Sequence, residues 1–171
     1  MNIRFIYFLC ILLGSPVAQA EPATVSERDM KAALIYNFAV FTAWPESRES
    51  AFNVCVFDED KENLNRDILR SKQINGKPVH FEVIFSIGEV QKCQLLYLED
   101  SKNKEDKMLL ESMVNFSVLS IADTMDKMAS ASIINIHLDN KKYKFTVNNE
   151  AAKRSNLTVS SKLLRLATKV Y

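Results

Sequence analysis

The sequence predicts a three-layer α/β domain, a mostly parallel sheet with helices on both faces and a C-terminal antiparallel hairpin. Three observations predict it. Short apolar β-rich runs alternate with helical periods between Phe52 and Met128, the pattern of parallel strands joined by helical crossovers. Two further runs, Ser132 to Leu138 and Lys142 to Val147, flank Asp139-Asn140-Lys141 and read as a hairpin. Only three glycines occur in 171 residues, so this Rossmann-like domain has no dinucleotide or phosphate fingerprint.

The first 20 residues stand apart from the domain. Arg4 is a positive n-region, Phe5 to Leu13 an apolar core, and Gly14, Ser15 and Pro16 break it. Ala18-Gln19-Ala20 reads as a cleavage site. The apolar core is short of the roughly 20 residues a spanning helix needs. Cys10 follows Phe8-Leu9 rather than a small residue, so it does not read as a lipid-attachment site. The expectation is a periplasmic protein, cleaved after Ala20, with residues 21–171 as one domain.

The elements follow in order. Ser26 caps a helix with Asp29 behind it. The helix runs from Glu27 to about Ala43 and stops before Pro45. From Ala32 to Trp44 it is apolar nearly all round, which predicts burial on more than one side. Phe52 to Phe57 is a strand. Lys61 to Ser71 is a polar helix with Leu64, Ile68 and Leu69 inward. Asn75-Gly76 is a turn, and Pro78 to Phe85 alternates, placing Val79, Phe81, Val83 and Phe85 on one face. Cys93 to Leu98 and Phe116 to Ala122 are apolar strands, with helices predicted over Lys104 to Val114 and on to Met128. After the hairpin, Asn148 or Asn149 caps a short helix to Ser155. Asn156 suits a left-handed position with Leu157 behind it. Ser160 caps the last helix, whose apolar side includes Leu163, Leu164, Leu166, Ala167 and Val170.

Charge and composition exclude several functions. Without its leader the chain loses one basic residue, Arg4, and becomes formally neutral. A neutral chain without a basic stripe argues against nucleic acid. The two histidines, His80 and His137, fall in strands without partners at ligand spacing, so no metal site is expected. No G-x-S-x-G elbow is present, and Ser160-Ser161 reads as a cap. Asp58, Glu59, Asp60 and Glu62 follow the first strand. They read as a helix-opening charge run or as a cation site. Asn115-Phe116-Ser117 and Asn156-Leu157-Thr158 are sequons by pattern only. No catalytic constellation and no cofactor motif emerges. The residues therefore point to a binding module rather than an enzyme.

Beyond the leader the chain holds two cysteines, Cys55 and Cys93. An even pair in an exported protein is most simply a disulfide; two buried thiols are the alternative. Closing a loop of about 38 residues stabilises by about 4 kcal/mol in the chain-entropy model.

Taken together, these segments resemble a family. Lys31-Ala32-Ala33-Leu34-Ile35-Tyr36-Asn37-Phe38, continuing to Phe41-Thr42-Ala43-Trp44-Pro45, resembles the opening helix of YfiR-like periplasmic proteins. The Cys55 strand, the strand beginning at Cys93, and Phe116 to Asp123 resemble their following strands. Lys144-Phe145 to Asn148, Ala151-Ala152 and Leu157 to Ala167 resemble their ending. Asn156 stands where the family usually has glycine, and a further cysteine pair near the hairpin is missing.

The resemblance implies a repressor that binds the periplasmic sensor part of an inner-membrane diguanylate cyclase, so controlling cyclic di-GMP and biofilm formation. An outer-membrane lipoprotein as second partner, a homodimer, and a redox-sensitive disulfide are implied with it. Phe38, Phe41 and Trp44 are then candidates for a partner or dimer surface, being aromatic types enriched at hot spots; core filling is the alternative. A periplasmic small-ligand-binding or redox-sensing protein is the competing function, and a ligand pocket would lie at the carboxyl ends of the strands, near Asp58 and Asp123.

Overall fold

The structure is a computed structural model and describes residues 25–99, 110, 112–113, 116–125 and 131–171. The leader, the cleavage site after Ala20, most of the Lys104–Val114 helix and the segment ending at Met128 lie outside the described residues.

The opening helix, α1, spans Glu27–Val40, and Ser26 Oγ accepts the Asp29 N–H at 3.1 Å, as its cap chemistry requires. It buries Ala32, Ile35, Phe38 and Ala39 on one face. Met30, Ala33, Asn37 and Val40 face solvent, so the chain by itself buries one side of the helix and not several. The helix also ends earlier than Ala43. Thr42–Ala43 forms a short strand, β1, antiparallel to β9 (Thr158–Val159). Pairing with residues far along the chain overrides the local helical pattern.

The main sheet begins with β2 (Phe52–Phe57). Asp58–Asp60 follows as a 3-10 turn, and α2 spans only Arg66–Arg70. The helix predicted from Lys61 shortens because Asn65 caps it, its side chain accepting the Asp67 and Ile68 N–H groups. The hairpin of β3 (Gln73–Ile74) and β4 (Lys77–Ile84) turns on Asn75 and Gly76, both at positive φ. A 3-10 turn over Ile87–Lys92 leads to β5 (Leu95–Glu99); β6 (Leu119–Asp123), β7 (Ile134–Asp139) and β8 (Lys142–Val147) follow. The helices α3 (Asn149–Arg154) and α4 (Ser161–Leu166) flank β9, and β10 (Lys169–Val170) ends the chain.

The eight-stranded sheet has the order β10-β8-β7-β6-β5-β2-β4-β3. Strands β4, β2, β5, β6 and β7 are parallel, and β8 is antiparallel to β7 as predicted. The hairpin does not close the sheet. Residues predicted to continue the last helix instead form β10, parallel to β8 at Thr146 and Val147. The result is a curled mixed α/β sheet, with β1 and β9 as a separate small antiparallel pair.

Both faces of the central strands are apolar. One carries Val54, Val56, Leu95, Tyr97, Leu119 and Ile121 under α1, α2, α3 and α4. The other carries Cys55, Leu96 and Leu98 under Val90, Leu110 and Met113. The four helices named above pack on the first face, and the helical residue Leu110 packs on the second. Phe85, predicted to continue the buried face of β4, lies past its end and is 75% exposed; Ile84 is buried on the opposite face instead.

Asn156 takes the left-handed conformation at φ 55°. The Leu157 N–H reaches Ala152 O at 2.9 Å and the Asn156 N–H reaches Lys153 O at 3.0 Å, so the end of α3 is closed by a Schellman motif. Asn148, rather than Asn149, caps that helix through the Ala151 N–H.

Candidate functional site

Two regions concentrate unusual chemistry, at opposite ends of the parallel strands. The amino end is built around Trp44. The β1–β9 pairing carries the chain out of α1 and delivers Trp44 over the starts of β2 and β5. Its Nε1 donates to Gln94 O at 3.2 Å, and its ring meets Phe52 edge-on at 4.9 Å. The Gln94 side chain in turn accepts the Asn53 N–H at 2.7 Å.

Trp44 is half-buried and separates two clefts. One, of about 330 Å3, is lined by Pro45, Phe52, Lys77 and Gln94 among others. The second, of about 250 Å3, is lined by Gln91, Cys93, Phe116 and Val118. Cys93 is bonded to Cys55, which ties the chain just before β5 to the middle of β2 across a Cα–Cα distance of 5.9 Å. Both cysteines are buried, which holds one wall of the second cleft rigid.

The three aromatic candidates separate. Phe38 is 2% exposed, and its ring packs on Phe145 at 4.9 Å. It is a core residue, because α1 turns that position onto the sheet, and it presents nothing to a partner. Phe41 is half-buried, with Lys162 Nζ 4.8 Å from its ring centre. Trp44 is the member of the set placed at a cleft.

The carboxyl end is built around Lys31, a residue that periodicity did not single out. Its side chain is 5% exposed and its Nζ lies 2.6 Å from Glu99, 2.8 Å from Asp123 and 2.9 Å from Glu27. Burial opposes its charge, but the hydrogen bonds it donates to Asp123, Glu99 and Glu27 outweigh burial and hold its pKa above the ordinary lysine range. Tyr97 donates its hydroxyl to Asp123 at 3.2 Å, and burial raises its pKa strongly. One clue was legible: Glu99 and Asp123 each end an apolar strand at the same register, and a lone lysine opens the apolar face of the facing helix.

The acidic run after β2 does not converge on one point. Asp58 pairs with Lys61 at 2.7 Å and Glu62 with Arg28 at 3.4 Å, both at the surface. Asp60 turns inward and accepts the Glu99 N–H at 3.1 Å. Among the described residues no group of three His, Cys, Asp or Glu side chains is placed to hold a metal. His80 is exposed and His137 half-buried. The carboxyl edge, where an open α/β sheet ordinarily receives a ligand, is occupied by the chain's own cation.

Burial pushes the Asp60 carboxyl up to about 6, against the pull of the Glu99 N–H. An acid whose folded pKa exceeds its unfolded value of 3.8 stabilises the fold below that value. It loses this contribution as pH rises through about 6. Asp60→Asn is therefore expected to raise stability at pH 8 by about 1–3 kcal/mol and to change it little at pH 4. Urea unfolding at the two pH values measures this; equal effects at both would remove the burial penalty as the cause.

Among the described residues no helix is long and apolar enough to cross a membrane. Comparison with curated proteins gives no match. Solved structures do match, among them a conserved domain protein from Vibrio cholerae O1 biovar El Tor str. N16961. It superposes with a TM-score of 0.53 at 10% identity, over 82% of this chain and 60% of that one. The present chain thus spans about 60% of that protein's length, and the likeness is one of fold. The profile of YfiR/HmsC-like proteins matches residues 28–168, from the first turn of α1 to the residue before β10. Over that span, with its strands, its bridged cysteines and its ordered helices, this chain belongs to the YfiR/HmsC-like family.

Proposed function

We propose that this protein is a periplasmic repressor that docks on the periplasmic sensor part of an inner-membrane diguanylate cyclase and holds it inactive. Cyclic di-GMP output and biofilm formation then follow its occupancy. An outer-membrane lipoprotein competes for it, and it works as a homodimer. The family supports a regulatory rather than a catalytic role, exercised in the periplasm with membrane diguanylate cyclases.

The observation that carries the reading is Trp44. A tryptophan anchored by one hydrogen bond, standing between two clefts and braced by a buried disulfide, has the character of an interface anchor. The solvent face of α1, with Met30 and Val40 each 41% exposed, offers apolar surface for the second copy. The small-ligand alternative is weakened because Lys31 fills the expected place near Asp123.

The test is titration of the exported protein against the purified periplasmic part of a co-encoded cyclase under oxidising conditions. Trp44→Ala is expected to weaken cyclase binding or self-association by roughly 30-fold, the effect of a 2 kcal/mol hot spot. It should lower stability by less than that. Unchanged affinity beside a large stability loss would place Trp44 in the core, and no binding by the unaltered protein would end the repressor reading.

A further inference from the structure

Among the described residues, the β3–β4 edge of the sheet is partly open. Strand β4 lies next to β2 on one side, and on the other it pairs only with β3, through Lys77 and Pro78. The Val79 N–H reaches Lys72 O at 3.1 Å, which ends that cover. Main-chain groups of alternate residues point to the same edge. Phe81 and Val83 therefore turn their N–H and C=O groups outward like Val79, and no described strand pairs with them. The next outward group, the Phe85 N–H, is taken by the Glu89 carboxylate at 3.1 Å. The free edge is thus bounded by Lys72 and Glu89 and presents two residues' worth of unpaired ladder.

This edge has the form of a site. A groove of about 360 Å3 runs beside it, lined by Arg70, Pro78, Val79, His80, Phe81 and Glu82. Past its end stand Phe85 and Ile87, 75% and 55% exposed. Unpaired edges of this kind invite another strand.

Charge selects the occupant. The antiparallel register that pairs two copies of this edge through all four free groups is centred on Glu82. It sets Phe81 against the second copy's Val83 and Glu82 against the second copy's Glu82. That centre is a non-hydrogen-bonded pair, with Cα atoms about 4.5 Å apart, and like charges directly opposite are destabilising. Centring on Phe81 runs into β3, and centring on Val83 costs the Glu89 bond. Glu82 thus opposes self-pairing and favours a cation in the same position.

We propose that the open edge of β4 receives an extended segment of a partner polypeptide. The segment pairs through its main chain with Phe81 and Val83, sets a basic side chain opposite Glu82, and covers Phe85 and Ile87 with an apolar one. The proposal rests on the docking function above and names a surface for it distinct from Trp44.

The test uses the oxidised full-length exported protein and two capped peptides, Thr-Val-Thr-Lys-Thr-Val-Thr and the same peptide with glutamate at its centre. Amide exchange at Phe81 and Val83 is followed by NMR. The lysine peptide is expected to slow exchange at both amides and to bind about fivefold more tightly than the glutamate peptide, the ratio of an opposite-charge to a like-charge cross-strand pair. Glu82→Lys should reverse the preference. Absence of protection at both amides, or a preference that survives Glu82→Lys, overturns the proposal. In parallel, Glu82→Lys is titrated against the cyclase's periplasmic part. Binding equal to that of the unaltered protein removes the edge from that complex and leaves the repressor function standing. Failure of the unaltered protein to bind the cyclase removes the repressor function, while the peptide arm still decides the edge.

Discussion

Lys31→Met is expected to lower stability by about 3–5 kcal/mol, the range found when one partner of a buried ion pair is removed. The methionine fills nearly the same volume, so the loss reports charge and not a cavity. Without the amine, Glu99 and Asp123 face each other with no cation, beside the buried Tyr97 hydroxyl and Asp60. Among the described residues, Glu99 Oε2 is already buried without a hydrogen-bond partner. Lowering the pH to 4 should recover part of the loss, because a carboxylic acid tolerates burial that a carboxylate does not. Urea unfolding of the variant and the parent at pH 7 and pH 4 measures both effects. A loss below 1 kcal/mol at pH 7 would mean that α1 is held to the sheet by its apolar face alone.

Cys55→Ser is expected to lower the melting temperature by roughly 10 °C and to weaken cyclase repression with it. The bridge closes a loop with a sequence separation of 38 residues, worth about 4 kcal/mol in the denatured chain. At this chain length 1 kcal/mol corresponds to roughly 2–4 °C. Repression falls too because Cys93 lines the cleft beside Trp44. Scanning calorimetry with and without reductant separates the bridge from packing. The parent in reductant should approach the variant, and equal melting of the two in oxidising buffer would show that the bridge contributes nothing.

The legible parts of the fold were those fixed locally. Ser26, Asn148 and Ser160 cap where their side chains can reach an N–H two or three residues on. Asn75-Gly76 and Asn156 carry the left-handed backbone their residue types allow. The hairpin was visible from its alternation, though its turn is tighter than expected, only Asn140 and Lys141, both at positive φ.

What stayed hidden depends on partners distant in sequence. Thr42 and Ala43 follow a helical pattern and become strand because Val159 and Thr158 pair with them. The last residues leave their helix for β10 because β8 offers an open edge there. Phe85 keeps the alternation of β4 but lies beyond the sheet that would bury it. The candidate site was half legible. Trp44 stood out by type, whereas Phe38, its neighbour in pattern, is core. Lys31 left only a faint clue, because its value comes from two acids on strands that meet it only in three dimensions.

The ladder between Thr42–Ala43 and Thr158–Val159 also sets an order of events in assembly. The opening quarter of the polypeptide cannot finish its structure until its closing segment arrives, so the entropy of a very long loop falls due before that contact rewards it. Pairings of shorter sequence separation, such as β2 with β4 and β5, are favoured to form before it. Pairing of such distant segments slows folding.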